Sequence, residues 1–396
     1  LKDVAMPYPW LREAEILPGD GCAGALAGRA FRARLGPCVV AIRADGVYDI
    51  TAVHPTMRDL AESPDPAAAL RAASGERFAS LGDLLANTAP DTRDPSKPWL
   101  MAPVDLQAVK AAGVTFVASM LERVIEERAR GNPDSAARIR AETQGLIGDD
   151  LRSLKPGSEA AAKLKQALLA EGAWSQYLEV GIGPDAEIFT KAQPLSAVGC
   201  GMDAGVHEAS RWSNPEPEAV LIVASDGRIV GATLGNDVNL RDFEGRSALL
   251  LGKAKDQNAS AALGPFVRFF DATFSLDDVR ALEISLRVEG ADGFVLEGRS
   301  SMAEISRDPA DLVAQLLGPH HAYPDGAALY LGTMFAPTQD RDAPGQGFTH
   351  KSGDVVTIHA DKLGALVNRI RPAHECERWR YGAADLMRSL AKRRAI

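Results

Sequence analysis

Two carboxylates, Glu216 and Glu218, lie at i and i+2 in Asn214-Pro-Glu-Pro-Glu-Ala-Val220, where an apolar run begins. In extended chain those side chains point to one face. Neighbouring carboxylates repel, and each resists ionisation unless a cation lies between them. A third, Asp237 in Leu234-Gly-Asn-Asp-Val238, follows 19 residues after Glu218. The residues between, Ala219–Ser225, Asp226-Gly227 and Arg228–Leu234, read as two strands around an Asp-Gly turn. Antiparallel return then brings Asp237 back beside the pair. Three hard oxygen ligands, with water completing the shell, suit Mg²⁺, with Mn²⁺ as a substitute. The alternative for such a sequence is an acidic turn facing solvent.

The elements around this hairpin are β-rich. Ala30–Leu35, Pro37–Arg43 and Val47–Thr51 form short strands with Asp45-Gly46 turning the last pair. Short helices are expected near Met57–Glu62 and Phe78–Ala86. Three prolines in Asn87–Pro98 mark a boundary between a small N-terminal β-rich domain, 1–98, and a larger domain, 99–396. Asp105–Ala111 and Thr115–Arg130 are expected to be helical, the second with Phe116, Met120, Leu121, Val124 and Ile125 on one stripe. Two further helices are expected over 135–173, separated by Pro156-Gly157. Beyond Ala186 short strands recur at Val267–Phe270, Ala281–Glu289, Phe294–Ser300, Gly326–Leu331 and Asp354–His359. Their spacing favours a sandwich or barrel over a parallel βαβ sheet. The fold class is therefore α+β and β-rich, with a helical cover and a C-terminal helix over Ala383–Arg394 that serves as a packing or dimer contact.

The 396 residues are 46% hydrophobic and 24% charged, which excludes wholesale disorder. A net charge of −9 argues against non-specific affinity for nucleic acid or anionic membrane. Cys22, Cys38, Cys200 and Cys376 are far apart and form no CxxC pair, so they read as reduced thiols. No apolar stretch reaches the ~18 residues of a membrane span, and a soluble, cytoplasmic protein is expected. The glycines of Gly199–Gly205 lack the strand–glycine–helix context of a dinucleotide loop. His320, His321 and His350 read as loop histidines with local hydrogen bonds, and Ser119 sits in no Gly-x-Ser-x-Gly elbow.

Taken in order, Glu216-x-Glu218, the hairpin, Asn236-Asp237-Val238, Gly252-Lys-Ala-Lys-Asp256 and Leu263-Gly264-Pro265 resemble the fumarylacetoacetate hydrolase superfamily. Phe189-Thr-Lys-Ala-Gln-Pro194 with Ser196 stands upstream; Gly332-Thr333, Ser352–Val356 and Leu363–Arg369 stand downstream. The resemblance covers roughly residues 100–372. It implies a mixed β-sandwich roll, Mg²⁺ on Glu216, Glu218 and Asp237, and 2-oxo acid substrates. It implies a lysine beside the metal, either Lys253, which matches the usual Gly-Lys-x-x-Asp loop, or Lys255, which has the better spacing to Asp237. Lys191, Gln193, Asp256, Gly332 and Thr333 take positions where members contact substrate. A homodimer or homotetramer is the implied assembly.

Superfamily hydrolases carry a His-x-x-Glu pair that activates water. Here the stretch is Val117-Ala-Ser-Met-Leu-Glu-Arg123, so Ser119 replaces the histidine and Glu122 remains. Without an imidazole, making hydroxide for carbon–carbon hydrolysis is harder. Dehydration consumes no water, and this pattern resembles the 2-keto-3-deoxy-D-xylonate and D-arabinonate dehydratases of the superfamily. The expected reaction is loss of a C3 proton and the C4 hydroxyl from a 2-keto-3-deoxy-pentonate, giving 2-oxoglutarate semialdehyde. Glu122 is the expected proton carrier, with Lys255 or Lys253 facing the developing oxyanion. The alternatives are hydrolysis of a diketo acid or acylpyruvate, oxaloacetate decarboxylation, and a catalytically silent sugar-acid-binding protein.

Overall fold

The computed structural model describes residues 11–130, 132, 154–170, 174–335, 337–343 and 347–396. The earlier of the two helices expected over 135–173 lies mostly outside the described residues. Eighteen strands organise the described chain. The N-terminal ones are β1 (Ala25–Arg32), β2 (Gly36–Arg43), β3 (Gly46–Asp49), β4 (Glu76–Ala79) and β5 (Trp99–Met101). Then come β6 (Ala108–Gly113), β7 (Glu187–Ala192), β8 (Asp203–Val206), β9 (Ser213–Asn214), β10 (Pro217–Val223), β11 (Ile229–Asp237), β12 (Asn239–Leu240) and β13 (Ala261–Phe269). The last are β14 (Glu283–Glu289), β15 (Val295–Ser301), β16 (Ala327–Tyr330), β17 (Val355–Ala360) and β18 (Gly364–Pro372).

Both Asp-Gly turns make the hairpins their sequence demands. Gly46 and Gly227 have φ of +145° and +88°, a region that favours glycine. The large sheet runs β4-β3-β2-β1-β13-β11-β10-β16-β6-β7, with β5 paired to β1. A second sheet runs β15-β14-β17-β18-β8. Most pairings are antiparallel, while β16–β6 and β18–β8 are parallel, so the architecture is mixed. Leu221, Leu234 and Phe266 of the first sheet share one buried core with Leu286, Val288, Ile358 and Leu366 of the second. This is the expected β-rich α+β sandwich. Strands β1–β4 belong to the same hydrogen-bonded sheet, because β1 pairs with β13 from Ala25↔Phe269 to Ala27↔Val267.

Among the described residues the helical cover consists of Val117–Arg128, Glu159–Ala170 and Gln176–Ile182. Met120, Val124, Leu168, Tyr177 and Leu178 close a small core of their own beside the sheet. The C-terminal helix, Ala383–Lys392, buries Leu386 and Leu390. It reaches β2 and β3 through Ser389, whose hydroxyl donates to Leu35 O, and through Arg393 on Asp49. No disulfide joins the four cysteines. Among the described residues, no helix is long and apolar enough to cross a membrane.

Two expectations need correction. Residues 108–113 are a strand, not a helix: β6 pairs with β16 on one side and β7 on the other. The Ala-rich stretch has helical propensity, but a slot between two strands satisfies its backbone and overrides that weak preference. Phe78–Ala86 divides at Ser80, with β4 before it and the helix Leu81–Ala86 after it. Ser80 and Asp83 form a reciprocal capping box there.

Gly235 on β11 tests how tightly the sheet packs beneath the acidic residues. A Cβ there would lie 2.2 Å from the ring of Tyr330, which is fully buried and donates to Ala262 O at 2.7 Å. Gly235→Ala is expected to cost about 1–3 kcal/mol in a urea melt, the usual penalty for overpacking a core.

Candidate active site

The β10–β11 ladder assembles the three carboxylates. Glu216 stands just before β10 and Asp237 ends β11; the Asp237 N–H donates to Glu216 O, and the Glu216 N–H donates to Asn236 Oδ1, both at 3.0 Å. Glu218 lies two residues on, facing the same way. One oxygen from each of Glu216, Glu218 and Asp237 falls within 4.8 Å of the others, and all three residues are buried. Glu218 accepts the Gly332 N–H at 2.6 Å. Gly332 has φ +88°, and a Cβ there would strike Thr115 Oγ1 at 2.0 Å, so only glycine brings this amide to the carboxylate.

Two lysines serve the cluster from different sides. Lys255, at the end of the short helix Leu251–Lys255, lies 2.6 Å from Glu216 Oε2 and 2.8 Å from Asp237 Oδ2. Lys191, on β7, is fully buried behind Asp237, 2.8 Å from its Oδ1. Its ammonium also donates to Lys255 O at 2.8 Å and Val238 O at 3.0 Å, tying β7, β11 and the Lys255 helix together. Burial opposes ionisation of Asp237, yet the two ammonium groups outweigh it and hold the carboxyl at about 2. Glu218 is driven the other way: burial first, then the charges of Asp237 and Glu216, push it well above the ordinary carboxylate range.

The cavity in front of these groups has further walls, formed by side chains to which the sequence motifs gave no role. Arg123, Glu187, Phe189 and Glu244 line it. Arg123 bonds Glu216 and reaches Glu126 and Glu244 at 2.8 and 2.9 Å. Glu187 opens β7 directly opposite Gly113 of β6. A Cβ on Gly113 would meet Glu187 Oε2 at 2.0 Å, so the missing side chain makes the berth for this carboxylate. Among the described residues Glu187 makes no hydrogen bond or ion pair, and burial, followed by the charge of Glu244, raises it to about 7. Its signal was the strand period: Glu187, Phe189 and Lys191 alternate on one face of β7.

The expected site residues divide into two groups. Ser119, Gly332 and Thr333 line the cavity with Lys255 and the three acids. The Ser119 hydroxyl donates to Phe116 O at 3.0 Å, and Thr333 Oγ1 accepts the Phe335 N–H at 3.0 Å. Glu122 is not part of this lining; its Oε2 pairs with Arg241 at 3.0 Å, and Arg241 also holds Glu126. Lys253 is exposed, 5.4 Å from the Phe243 ring centre. Gln193 donates to Asp256 at 3.1 Å, and both line a separate cavity of about 450 Å³ beside Asn258, His374 and Trp379. A one-residue choice within a one-turn helix decides which lysine points inward, and spacing alone cannot read it. His320 and His321 are exposed, while His350 is buried against Asp354, 3.2 Å away.

Chemically the donor set fits a hard dication. Among the described residues five carboxylates line the cavity against two cationic side chains, an excess of three negative charges when all are ionised. All-oxygen ligands favour Mg²⁺ or Mn²⁺. The free volume is only about 20 Å³, close to one water, because Lys255 and Arg123 both reach Glu216.

Asp237→Asn removes the charge that two buried ammonium groups face and is expected to cost about 3–5 kcal/mol in chemical denaturation. The depressed Asp237 carboxyl contributes stability that is complete above its unfolded value of about 3.9 and is lost as pH falls toward about 2. The variant is therefore expected to show a shallower acid-side loss of stability.

Comparison with known proteins finds relatives in sequence and in fold. Residues 222–371 match the family described as fumarylacetoacetate (FAA) hydrolase C-terminal. A probable 2-keto-3-deoxyxylonate dehydratase of Haloferax volcanii is 32% identical over 194 residues, covering 49% of this chain and 63% of that protein. A 2-dehydro-3-deoxy-D-arabinonate dehydratase of Saccharolobus solfataricus is 29% identical over 185 residues, covering 47% and 58%. The chain thus matches less than two thirds of the length of these curated relatives. A solved 2-keto-3-deoxy-D-arabinonate dehydratase complexed with magnesium and 2,5-dioxopentanoate superposes with a TM-score of 0.59 at 20% identity, covering 88% of this chain and 98% of that one. Its apo form gives 0.61. At that identity the superposition establishes the fold.

Proposed function

We propose, from the match of residues 222–371 to the family described as fumarylacetoacetate (FAA) hydrolase C-terminal, that this chain is a Mg²⁺-dependent dehydratase of 2-keto-3-deoxy-pentonates. The observation that carries this reading is a buried triad of acids beside a lysine, in a cavity whose described lining contains a free carboxylate and no histidine. The named activities of the two curated relatives support the substrate class, and the neighbour's magnesium supports the cofactor.

Glu216, Glu218 and Asp237 are the residues that hold the dication. When bound, it supplies positive charge that polarises the C2 carbonyl and favours loss of a C3 proton. Lys255 sets its ammonium toward the negative oxygen that develops at C2, charge stabilisation that a water-poor pocket strengthens. Burial opposes a charge on Lys255, but Asp237 and Glu216 keep it protonated well above the range where it could act as a base. Ser119 and Thr333 offer hydroxyls to the substrate oxygens.

Proton transfer was expected of Glu122. Glu187 is the better placed carboxylate, since it faces the cavity while Glu122 is paired with Arg241. In this scheme Glu187 takes the C3 proton and returns it to the C4 hydroxyl. That hydroxyl leaves as water while the electron pair from C3 forms the C3=C4 bond. A C5 proton then moves to C3, which shifts the double bond to C4=C5, and the resulting enol gives the semialdehyde as its hydroxyl proton moves to C4.

One assay series separates the readings. With Mg²⁺ the protein is expected to convert 2-keto-3-deoxy-D-xylonate or D-arabinonate to 2-oxoglutarate semialdehyde and to lose activity reversibly in chelator. Cleavage of a diketo acid into two fragments, with the sugar acids untouched, overturns the proposal. Glu218→Gln is expected to weaken Mn²⁺ binding at least about tenfold by calorimetry, since a buried amide is a poorer ligand than a carboxylate.

The pH profile distinguishes the two glutamates. Glu187 must be ionised to accept the C3 proton, so kcat/KM should fall as pH drops through its titration, near 7 before a dication is added. Glu187→Gln is expected to lower kcat by about 10²–10⁴-fold and to abolish solvent-deuterium exchange at C3. If Glu122→Gln does this and Glu187→Gln does not, the proton carrier is Glu122.

A further inference from the structure

The dehydratase reading assigns the C2 oxygen of the substrate and its C3–C4 bond but leaves one part of the cavity wall without a role. That wall is Glu244 and Arg123. Glu244 ends the short helix Arg241–Glu244, is nearly fully buried, and lines the cavity. Glu187 lines the same cavity. One guanidinium, that of Arg123, bridges Glu216 of the triad and Glu244, so the two carboxylates face the cavity on either side of it.

Glu244 cannot swing freely. Arg123 Nη1 is shared between its Oε2 at 2.9 Å and Glu126 Oε2 at 2.8 Å, and the other guanidinium nitrogen is on Glu216. Although that guanidinium is close, Glu244 Oε2 is buried and takes part in no aligned hydrogen bond among the described residues. Charge is balanced there while one acceptor is short of a donor. An alcohol meets that need: its O–H donates to the carboxylate, and its oxygen accepts from the neighbouring guanidinium. A methyl or acyl group in the same place leaves both polar groups desolvated with no compensation.

We propose that Glu244, held in position by Arg123, is the specificity-determining residue that reads the hydroxyl at C5 of the substrate, one carbon beyond the bond that breaks. This rests on the dehydratase reading for the orientation of the substrate. It makes the site selective for a hydroxymethyl tail over an alkyl one. A buried site built to bond a substrate hydroxyl rejects the analogue lacking it far more strongly than an apolar pocket rejects one extra group.

The test compares 2-keto-3-deoxy-D-pentonate with 4-hydroxy-2-oxopentanoate, which is identical through C4 and carries a methyl where the pentonate has CH₂OH. The Mg²⁺-loaded wild-type protein is expected to favour the pentonate in kcat/KM by more than about tenfold, the scale of one charged hydrogen bond. Glu244→Met is expected to bring that ratio close to one, whereas a merely structural role would depress both substrates alike and leave the ratio standing. Arg123→Lys, which keeps the charge and loses the fork, is expected to narrow the ratio in part and serves if the methionine variant does not fold. Calorimetric binding of the two acids to the Mn²⁺-loaded wild-type protein reads the same preference without turnover. Equal affinities there, equal kcat/KM in the wild type, or a ratio unmoved in Glu244→Met overturns the inference. Failure of the wild type to dehydrate either acid, with a retained binding preference, overturns the dehydratase reading and not the hydroxyl-reading role.

Discussion

Mutual repulsion among buried carboxylates is the constraint around which this site is built. Glu216, Glu218 and Asp237 are forced together by a hairpin register that leaves no freedom to separate them. Such a cluster survives only if cations surround it or if one member stays protonated. Both devices are present. Lys191 and Lys255 keep Asp237 ionised, while burial and the charges of Asp237 and Glu216 hold Glu218 against ionisation despite the Gly332 amide that it accepts. The rest of the local structure serves this balance: β7 delivers Lys191, the one-turn helix delivers Lys255, and the Gly332 turn delivers an N–H where no side chain fits.

The second layer of charge extends the same logic outward. Arg123 joins Glu216 to Glu126 and Glu244, and Arg241 joins Glu126 to Glu122 while stacking over Trp212 at 4.4 Å. The helix Val117–Arg128 is thus anchored to the site by alternating charge as well as by its apolar face. That arrangement explains why Ser119 and Arg123, one turn apart, both reach the cavity, whereas Glu122 between them turns toward Arg241.

Much of this was readable from residue order because the relevant periods are short. Two strands around Asp226-Gly227 determine which side chains meet, so the triad follows from a count of two along one strand and a return along the next. The sandwich follows from the same alternation. What escaped was decided by packing at longer range. Ala108–Gly113 carries an alanine-rich pattern that suits a helix, and only the slot between β16 and β7 makes it a strand. Misreading β6 also hid Glu187, since the berth opposite Gly113 exists only once β6 and β7 are paired. Gln193 and Asp256 follow the motif yet point into a different cavity, because the chain leaves β7 at Ala192 and turns outward.

The ladder between β1 and β13 ties the first hundred residues to the acid-bearing hairpin through β11. Strand β5, beyond the proline-rich stretch, pairs back onto β1 at Arg29↔Met101, so the two parts of the chain are stitched in both directions. A fragment beginning near residue 99 would bare the outer rim of β13 around Val267–Phe269, a row of unmatched amides and carbonyls flanked by apolar side chains. Such a rim recruits other chains, so the shortened protein would self-associate even with every acidic residue of the cavity intact.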